Sequence, residues 1–505
     1  MKKLALFIGF IALFLTGCSA KNQESTKKND GKIDIVTTFY PMYDFTQNVV
    51  GDEGDVTLLI GAGIEPHDYE PSAKDIAKIN DADAFVYNNE NMETWVPKLE
   101  KSLKKEDVKV IKASENILLL PGGEEEDDED HDSKAHSHAL DPHVWLDPVL
   151  AIKEVENIRD QLSKAYPKKK AIFTENADQY IAKLKALDTE YRDSLTSAKQ
   201  KNFVTQHAAF HYLALEYGLN QVAISGLSPD QEPSSARLAE LKGYIQENNI
   251  KYIYFEENAS DKIAKTLADE ANVELDVLNP LEGLTKAEQK AGENYISVMQ
   301  SNLKALEKTT NQTDGKADIK PEHEEEKTVY DGYFKDSQVK DRKLTDYKGT
   351  WQSVYPYLQD GTLDQVFDYK AKLKKKMTVE EYKAYYTTGY KTDVDDIKIT
   401  NKTIDFIIDG KNHKATYKYV GKKILDYEAG NRGVRYLFEA TEDVDGAYKY
   451  VQFSDHNIAP TKAEHFHIYF GNDSQEALLS ELTNWPTYYP SDLSGKEIAQ
   501  EMLEH

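Results

Sequence analysis

Near residue 328 the chain changes its hydrophobic period, and one fold does not accommodate both halves. Upstream, short β-rich runs alternate with helical patterns: Ile33-Asp34-Ile35-Val36-Thr37-Thr38-Phe39, Ala84-Phe85-Val86-Tyr87 and Lys109-Val110-Ile111, with Ile76 and Ile79 at helical spacing between them. That alternation predicts an α/β unit with a parallel sheet. Downstream, apolar residues recur with a period of two, as in Thr403-Ile404-Asp405-Phe406-Ile407-Ile408 and Arg435-Tyr436-Leu437-Phe438. The glycine pairs Asp409-Gly410, Val420-Gly421 and Asp445-Gly446 supply hairpin chemistry. An antiparallel, barrel-like domain follows for residues 328–505, with some helix at its two ends.

The first half itself divides in two. Tyr180, Ile181, Leu184, Leu187, Tyr191 and Leu195 form one apolar stripe at helical spacing, which predicts a long helix over about 168–198. After it, strand-like runs resume at Phe203-Val204-Thr205, Gln221-Val222-Ala223-Ile224 and Tyr252-Ile253-Tyr254-Phe255. Two α/β lobes joined by one long helix is the simplest architecture for 33–308. The polar stretch 309–327 reads as a linker between complete domains, so the two halves are expected to bind any ligand independently. Within the first lobe, eight acids, three histidines and one lysine crowd 124–138, too charged for a core, and mark 121–140 as a solvated loop.

Composition narrows the chemistry. A formal charge of −26 argues against a general nucleic-acid binder, which presents a basic face to phosphates. A single cysteine, Cys18, excludes an intrachain disulfide and a thiolate zinc cluster. Any transition-metal site is therefore built from the 13 histidines and the carboxylates. No third glycine follows Gly61-Ala62-Gly63 to make a dinucleotide fingerprint, and no GxxxxGK[ST] phosphate loop occurs, so the chain itself carries no recognisable ATPase.

The chain begins with Met1-Lys2-Lys3 and an apolar run over 4–15, too short to span a bilayer and of the right length for a signal-peptide core. It ends in Leu15-Thr16-Gly17-Cys18, which resembles the lipobox of bacterial lipoproteins. By that resemblance 1–17 is a signal peptide, Cys18 carries the lipid that anchors the protein at the outer face of the membrane, and 18–32 is a tether.

Three histidines sit at places that hold a side chain still. His67 lies between prolines in Glu65-Pro66-His67-Asp68-Tyr69-Glu70-Pro71. His143 lies in Asp141-Pro142-His143-Val144-Trp145-Leu146-Asp147-Pro148, and His207 directly follows a predicted strand, at the carboxyl edge where α/β sheets bind ligands. Glu282, in Leu278-Asn279-Pro280-Leu281-Glu282-Gly283-Leu284, occupies the equivalent edge of the second lobe. These motifs, in this order over about 33–308, resemble the zinc and manganese solute-binding lipoproteins of bacterial ABC importers. The resemblance implies that His67, His143, His207 and Glu282 are the metal ligands, in a cleft between the lobes. Manganese members carry a carboxylate in place of the third histidine. Here that position is His207, and imidazole suits zinc better than the harder manganese ion. His131, His136 and His138 in the acidic stretch resemble the accessory histidine-rich loop of zinc-specific members. His211, four residues beyond His207, reads as a partly buried helix residue.

The second half carries its own cluster. His465 and His467 are two apart on a predicted strand, so both rings leave one face, and His456 can arrive from the preceding turn in Ser454-Asp455-His456-Asn457. Three imidazoles leave a tetrahedral zinc with one open position, a geometry shared with catalytic zinc, but Glu464 points off the strand face and offers no general base. The segment 328–505, with its Thr350-Trp351-Gln352-Ser353-Val354-Tyr355 start, resembles the ZinT family of lipocalin-like (calycin) zinc-binding barrels. Fusion of both modules behind a lipobox is similar to the zinc-binding lipoproteins of streptococci. The whole predicts a receptor with two zinc sites that is not an enzyme, that captures the ion outside the cell, and that passes it to an ABC permease and its ATPase. Other zinc-scavenging surface proteins are further expected partners. A surface adhesin or scaffold with structural zinc is the competing reading, separated from the first by zinc uptake in a deletion strain.

Overall fold

The computed structural model describes residues 31–103, 108–122, 139–257, 259–317, 327–427 and 430–504. Its first half holds two parallel sheets of the same order. β1 (Ile33–Thr37), β2 (Gly54–Leu58), β3 (Ala84–Tyr87) and β4 (Lys109–Lys112) are arranged β2-β1-β3-β4. β5 (Asn202–Thr205), β6 (Asn220–Ala223), β7 (Tyr252–Phe255) and β8 (Glu274–Val277) are arranged β6-β5-β7-β8. In each sheet the first strand has neighbours reached in opposite directions, and the crevice at its carboxyl end is where such sheets bind ligands.

The predicted stripe lies on the helix Lys170–Leu195, and all six of its apolar residues are buried. At 26 residues the helix is about 39 Å long, enough to reach along both lobes. Tyr180 donates to Asp44 of the first lobe at 2.5 Å, and Tyr191 donates to the Met299 carbonyl of the second at 2.7 Å. One continuous hydrophobic core runs from Ile33 to Leu306 across both lobes, so the cleft between them has a stiff back.

The second half is a closed antiparallel barrel of β9 (Gly349–Ser353), β10 (Asp396–Ile399), β11 (Thr403–Ile408), β12 (Lys411–Asp426), β13 (Arg432–Ala440), β14 (Tyr450–Ser454), β15 (Phe466–Gly471) and β16 (Thr487–Pro490). β9 closes it by pairing with both β10 and β16. Its interior is filled by aromatic rings, with Tyr347 stacked on Phe453 at 4.3 Å and Trp351 edge-on to Phe466 at 4.7 Å.

Three expectations are corrected. Asp409-Gly410 is a hairpin turn with both φ positive, but Val420-Gly421 is not a turn: β12 continues through it, and the register slips by one residue, a β-bulge that bends the long strand. Short 3-10 turns (Asp336–Gln338, Leu344–Tyr347) and the helix Gly495–Glu504 do stand at the two ends of the barrel domain, but most of its helix lies between β9 and β10, as Tyr355–Gln359, Asp364–Lys374 and Val379–Tyr390. Thr309 and Thr310, placed in the linker by their polarity, end the helix Tyr295–Thr310 and are buried. The Thr309 hydroxyl meets Tyr254 Oη at 2.6 Å and the Thr310 carbonyl accepts from Lys199 N at 2.8 Å, so both residues are packed into the first domain, although the buried Thr310 hydroxyl has no hydrogen-bond partner.

The two halves also pack against each other. Ile117, Leu118, Leu119 and Leu120 of the first share a buried cluster with Leu358, Phe367, Tyr369 and Ile498 of the second. Each such leucine contributes about 2 kcal/mol on burial. Glutamine side chains complete the contact: Gln500 accepts from Leu119 N at 2.8 Å and donates to Leu119 O at 2.7 Å, while Gln365 accepts from Leu118 N at 3.1 Å.

Candidate metal centres

Four loops deliver the first donor set. His67 lies between β2 and the helix Ala73–Asp81, whose start is fixed by a reciprocal Ser72–Asp75 capping box. His143 precedes the short helical turn Val144–Leu146, and His207 follows β5 by two residues. Glu282 follows Leu281, a buried non-glycine residue with φ of 59° whose amide is held by Asn279 at 2.7 Å. That left-handed residue costs about 1 kcal/mol and turns the chain so that Glu282 enters the cleft. The Pro280 carbonyl accepts from Trp145 Nε1 at 2.8 Å, tying the Glu282 loop to the His143 loop.

The four side chains converge. His143 Nε2 stands 3.2 Å from His67 Nε2 and 3.3 Å from His207 Nε2. Glu282 Oε1 stands 3.3 Å from His67 Nε2, 3.5 Å from His143 Nε2 and 3.3 Å from His207 Nε2. A tetrahedron with centre-to-ligand distances near those of zinc has edges of about 3.3–3.4 Å, and these five distances match it. Glu282 Oε1 is buried without a hydrogen-bond donor, and imidazole lone pairs facing one another at this range repel unless a cation lies between them.

Behind the donors, carboxylates fix the rings. His143 Nδ1 donates to Asp141 Oδ1 at 2.8 Å, and His207 Nδ1 donates to Glu256. Each contact turns the Nε2 lone pair toward the centre. Burial pulls the His207 pKa down, but Glu256 and Glu282 outweigh it and hold it well above the usual range. His143 is likewise raised, by Asp141 and Glu282 against burial. Burial pushes Glu282 up, yet the three imidazoles, His207 foremost, bring it well below the usual carboxylate range. Glu65, which accepts from the His67 amide at 3.1 Å, is pushed up to about 8 by burial and by the charge of Glu282. The buried pocket therefore favours protons on His143 and His207 when no metal is bound, whereas burial pulls the His67 pKa down and keeps that ring neutral.

In the barrel, His456 follows β14, His465 directly precedes β15 and His467 lies within it; their rings stand 5.4, 6.1 and 6.3 Å apart. The three offer ligand atoms within 4.8 Å of one another. Each Nδ1 faces a partner outside the cluster: Tyr330 O at 3.1 Å, Glu501 Oε1 at 3.3 Å and Thr487 Oγ1 at 2.6 Å. The Tyr330 ring stacks on His456 at 3.9 Å. Under the turn, buried Arg342 pairs with Asp455 and donates to the Thr461 carbonyl at 2.8 Å, fixing the segment that presents His456. Glu464 is exposed.

All seven predicted ligands thus fall into two groups. Glu256, Tyr330, Thr487 and Glu501 were not found from sequence, because each meets its histidine from a distant element with no local motif. Asp141 has no role in the sequence reading either, although it lies two residues before His143 in the same proline-bounded motif. His211 begins the helix His211–Glu216, so His207 lies outside that helix and the two do not share a face. His131, His136, His138 and Cys18 lie outside the described residues.

Fold and donor sets define a two-lobed metal solute-binding protein that carries a second metal module. The family "Zinc-uptake complex component A periplasmic" (ZnuA) matches residues 35–309, and "ZinT (YodA) periplasmic lipocalin-like zinc-recruitment" matches 325–505. The zinc-binding lipoprotein AdcA of Streptococcus pneumoniae (strain TIGR4) is 66% identical, covering 100% of both chains. The high-affinity zinc uptake system protein ZnuA of Bacillus subtilis is 54% identical over 59% of this chain and 93% of its own. The crystal structure of Zn(II)-bound AdcA from S. pneumoniae superimposes with a TM-score of 0.86 at 65% identity, covering 94% of this chain and 100% of that one. The chain belongs to the ZnuA family, in the group of AdcA zinc-binding lipoproteins with a C-terminal ZinT domain.

Proposed function

We propose that this protein captures Zn²⁺ outside the cell and delivers it to an ABC permease, which its partner ATPase drives. His67, His143, His207 and Glu282 replace the waters of the ion at the first site; His456, His465 and His467 collect a second ion at a more open one. The tetrahedral spacing of the first donor set carries this reading. Three imidazoles and one carboxylate suit zinc, whereas manganese and calcium take oxygen-rich shells. Capture is coordination without a chemical step: a neutral imidazole binds, so zinc enters as protons leave.

Among the described residues no helix is long and apolar enough to cross a membrane. Attachment through lipid on Cys18, on the outer face, supplies the anchor that keeps the receptor near its permease. Metal content of the chelator-stripped, zinc-reloaded protein tests the reading: two zinc per chain are expected, one after His207→Ala and one after His467→Ala. A single zinc in the unsubstituted chain, or a deletion strain with normal zinc uptake and defective adhesion, would overturn it.

A further inference from the structure

The grip of the barrel on the first half ends close to a metal-facing imidazole. Gln500 and Gln365 hold the main chain of Leu118 and Leu119. The next residue, Leu120, donates its N–H to Tyr212 Oη at 2.8 Å and accepts from Asp141 N at 2.8 Å. The same Tyr212 hydroxyl donates to the Asp141 carbonyl at 2.7 Å, so it ties Leu120 and Asp141 together. Asp141 Oδ1 then holds His143 twice, at the backbone N (3.0 Å) and at Nδ1 (2.8 Å). Leu120, Tyr212 and Asp141 are each 1% exposed and His143 is 0% exposed, so water does not loosen the series. The Tyr212 ring also packs on the barrel side, 6.4 Å from that of Tyr369.

We infer that the barrel domain braces the first metal site: by gripping Leu118 and Leu119 it fixes Leu120, Tyr212 and Asp141, and so holds His143 on the ion. Tyr212 is a positioning residue, too far along this series to touch the metal itself. The inference rests on the zinc reading of that site. Its physical basis is that buried hydrogen-bonded segments of this kind have few alternative arrangements, so freeing one end shifts the other. The expectation of two independent modules then fails in one direction: the barrel slows zinc loss from the cleft even when its own metal site is destroyed.

The test uses the full chain with His465→Ala and His467→Ala, which leaves only the first site. In that background zinc loss is timed by capture with excess chelator, and the absorption spectrum of the Co²⁺-loaded site reports ligand geometry. Gln365→Ala with Gln500→Ala should speed zinc loss by about threefold to tenfold and shift the Co²⁺ bands. Tyr212→Phe, which keeps the ring and removes only the hydroxyl, should act in the same direction and guards against misfolding of the double variant. Lys496→Ala, which removes the peripheral ion pair with Glu115 at 3.7 Å, should leave both readouts unchanged. Unaltered off-rates and Co²⁺ spectra in both the double variant and Tyr212→Phe would overturn the brace. Failure of the background chain to bind zinc at all would instead overturn the assignment of the site.

Discussion

Glu256 accepts the Nδ1 proton of His207 from the end of β7, 49 positions further along the chain. Both side chains are buried, so the contact fixes the ring tautomer and orientation where no water can substitute. Glu256→Ala should therefore weaken zinc at the first site by about 10-fold to 100-fold, a typical loss for a carboxylate behind a metal-bound histidine. Glu256→Gln, which keeps an acceptor, should cost less. Competition against a chelator of known affinity, in a chain lacking His465 and His467, measures both; a change below about twofold for the alanine variant would show that His207 needs no support.

A substitution at His207 itself addresses metal choice. His207→Asp exchanges an imidazole for a hard oxygen donor beside Glu282, and should lower zinc affinity more than manganese affinity. Parallel titrations with both ions give the ratio. An unaltered ratio would remove His207 as the determinant of preference.

How much of this was legible beforehand depends on the range of the signal. The change of period near 328, the buried stripe Tyr180 to Leu195 and the proline-pinned His67 and His143 are local patterns, and the structure gathers those two histidines into one donor set with His207 and Glu282. Glu256 behind His207 and Glu501 behind His465 are tertiary contacts with no sequence neighbour to announce them. The pairing of Gln500 with Leu119 spans 381 positions. Val420-Gly421 departs from the turn expectation because a glycine with positive φ serves a bulge as well as a turn. Thr309 and Thr310 depart from the linker expectation because a short polar pair can still end a packed helix: the Thr309 hydroxyl and the Thr310 carbonyl both meet internal partners.

The two metal sites should part company in acid. His143 and His207 are held above the usual histidine range without metal, so zinc must displace protons from them already near neutrality. Affinity then falls about tenfold per pH unit for each proton displaced. His467 is pushed the other way, well below the usual range, by burial and by the neighbouring His465 and His456. It stays neutral and ready to bind until the solution is more acidic. Between about pH 8 and about pH 6 the first site should lose affinity more steeply than the second, starting from above the ordinary histidine value. Titration of the two single-site chains, one with His465→Ala and His467→Ala and one with His207→Ala, checks this. Equal slopes would mean that the buried carboxylates do not govern proton competition at the first site.

Removal of the acidic stretch 124–138 should slow zinc capture while sparing the cleft. Its flanks meet in a pair of backbone contacts, Gly122 N to Ala139 O at 2.7 Å and a bridge between Pro121 and Leu140, so a short glycine linker can replace it without moving Asp141. With eight acids and one lysine the stretch carries 8 − 1 = 7 net negative charges. Such a charge concentrates cations locally and raises the encounter rate, an effect that salt screens over about 8 Å at physiological ionic strength. Stopped-flow zinc capture should thus show a faster on-rate for the intact chain at low salt, with the advantage shrinking as salt rises. The equilibrium affinity of the first site should stay nearly the same, because the resemblance assigns no cleft ligand to this stretch. A large loss of affinity would make one of His131, His136 and His138 a true ligand, and an unchanged on-rate at low salt would remove the stretch from capture altogether.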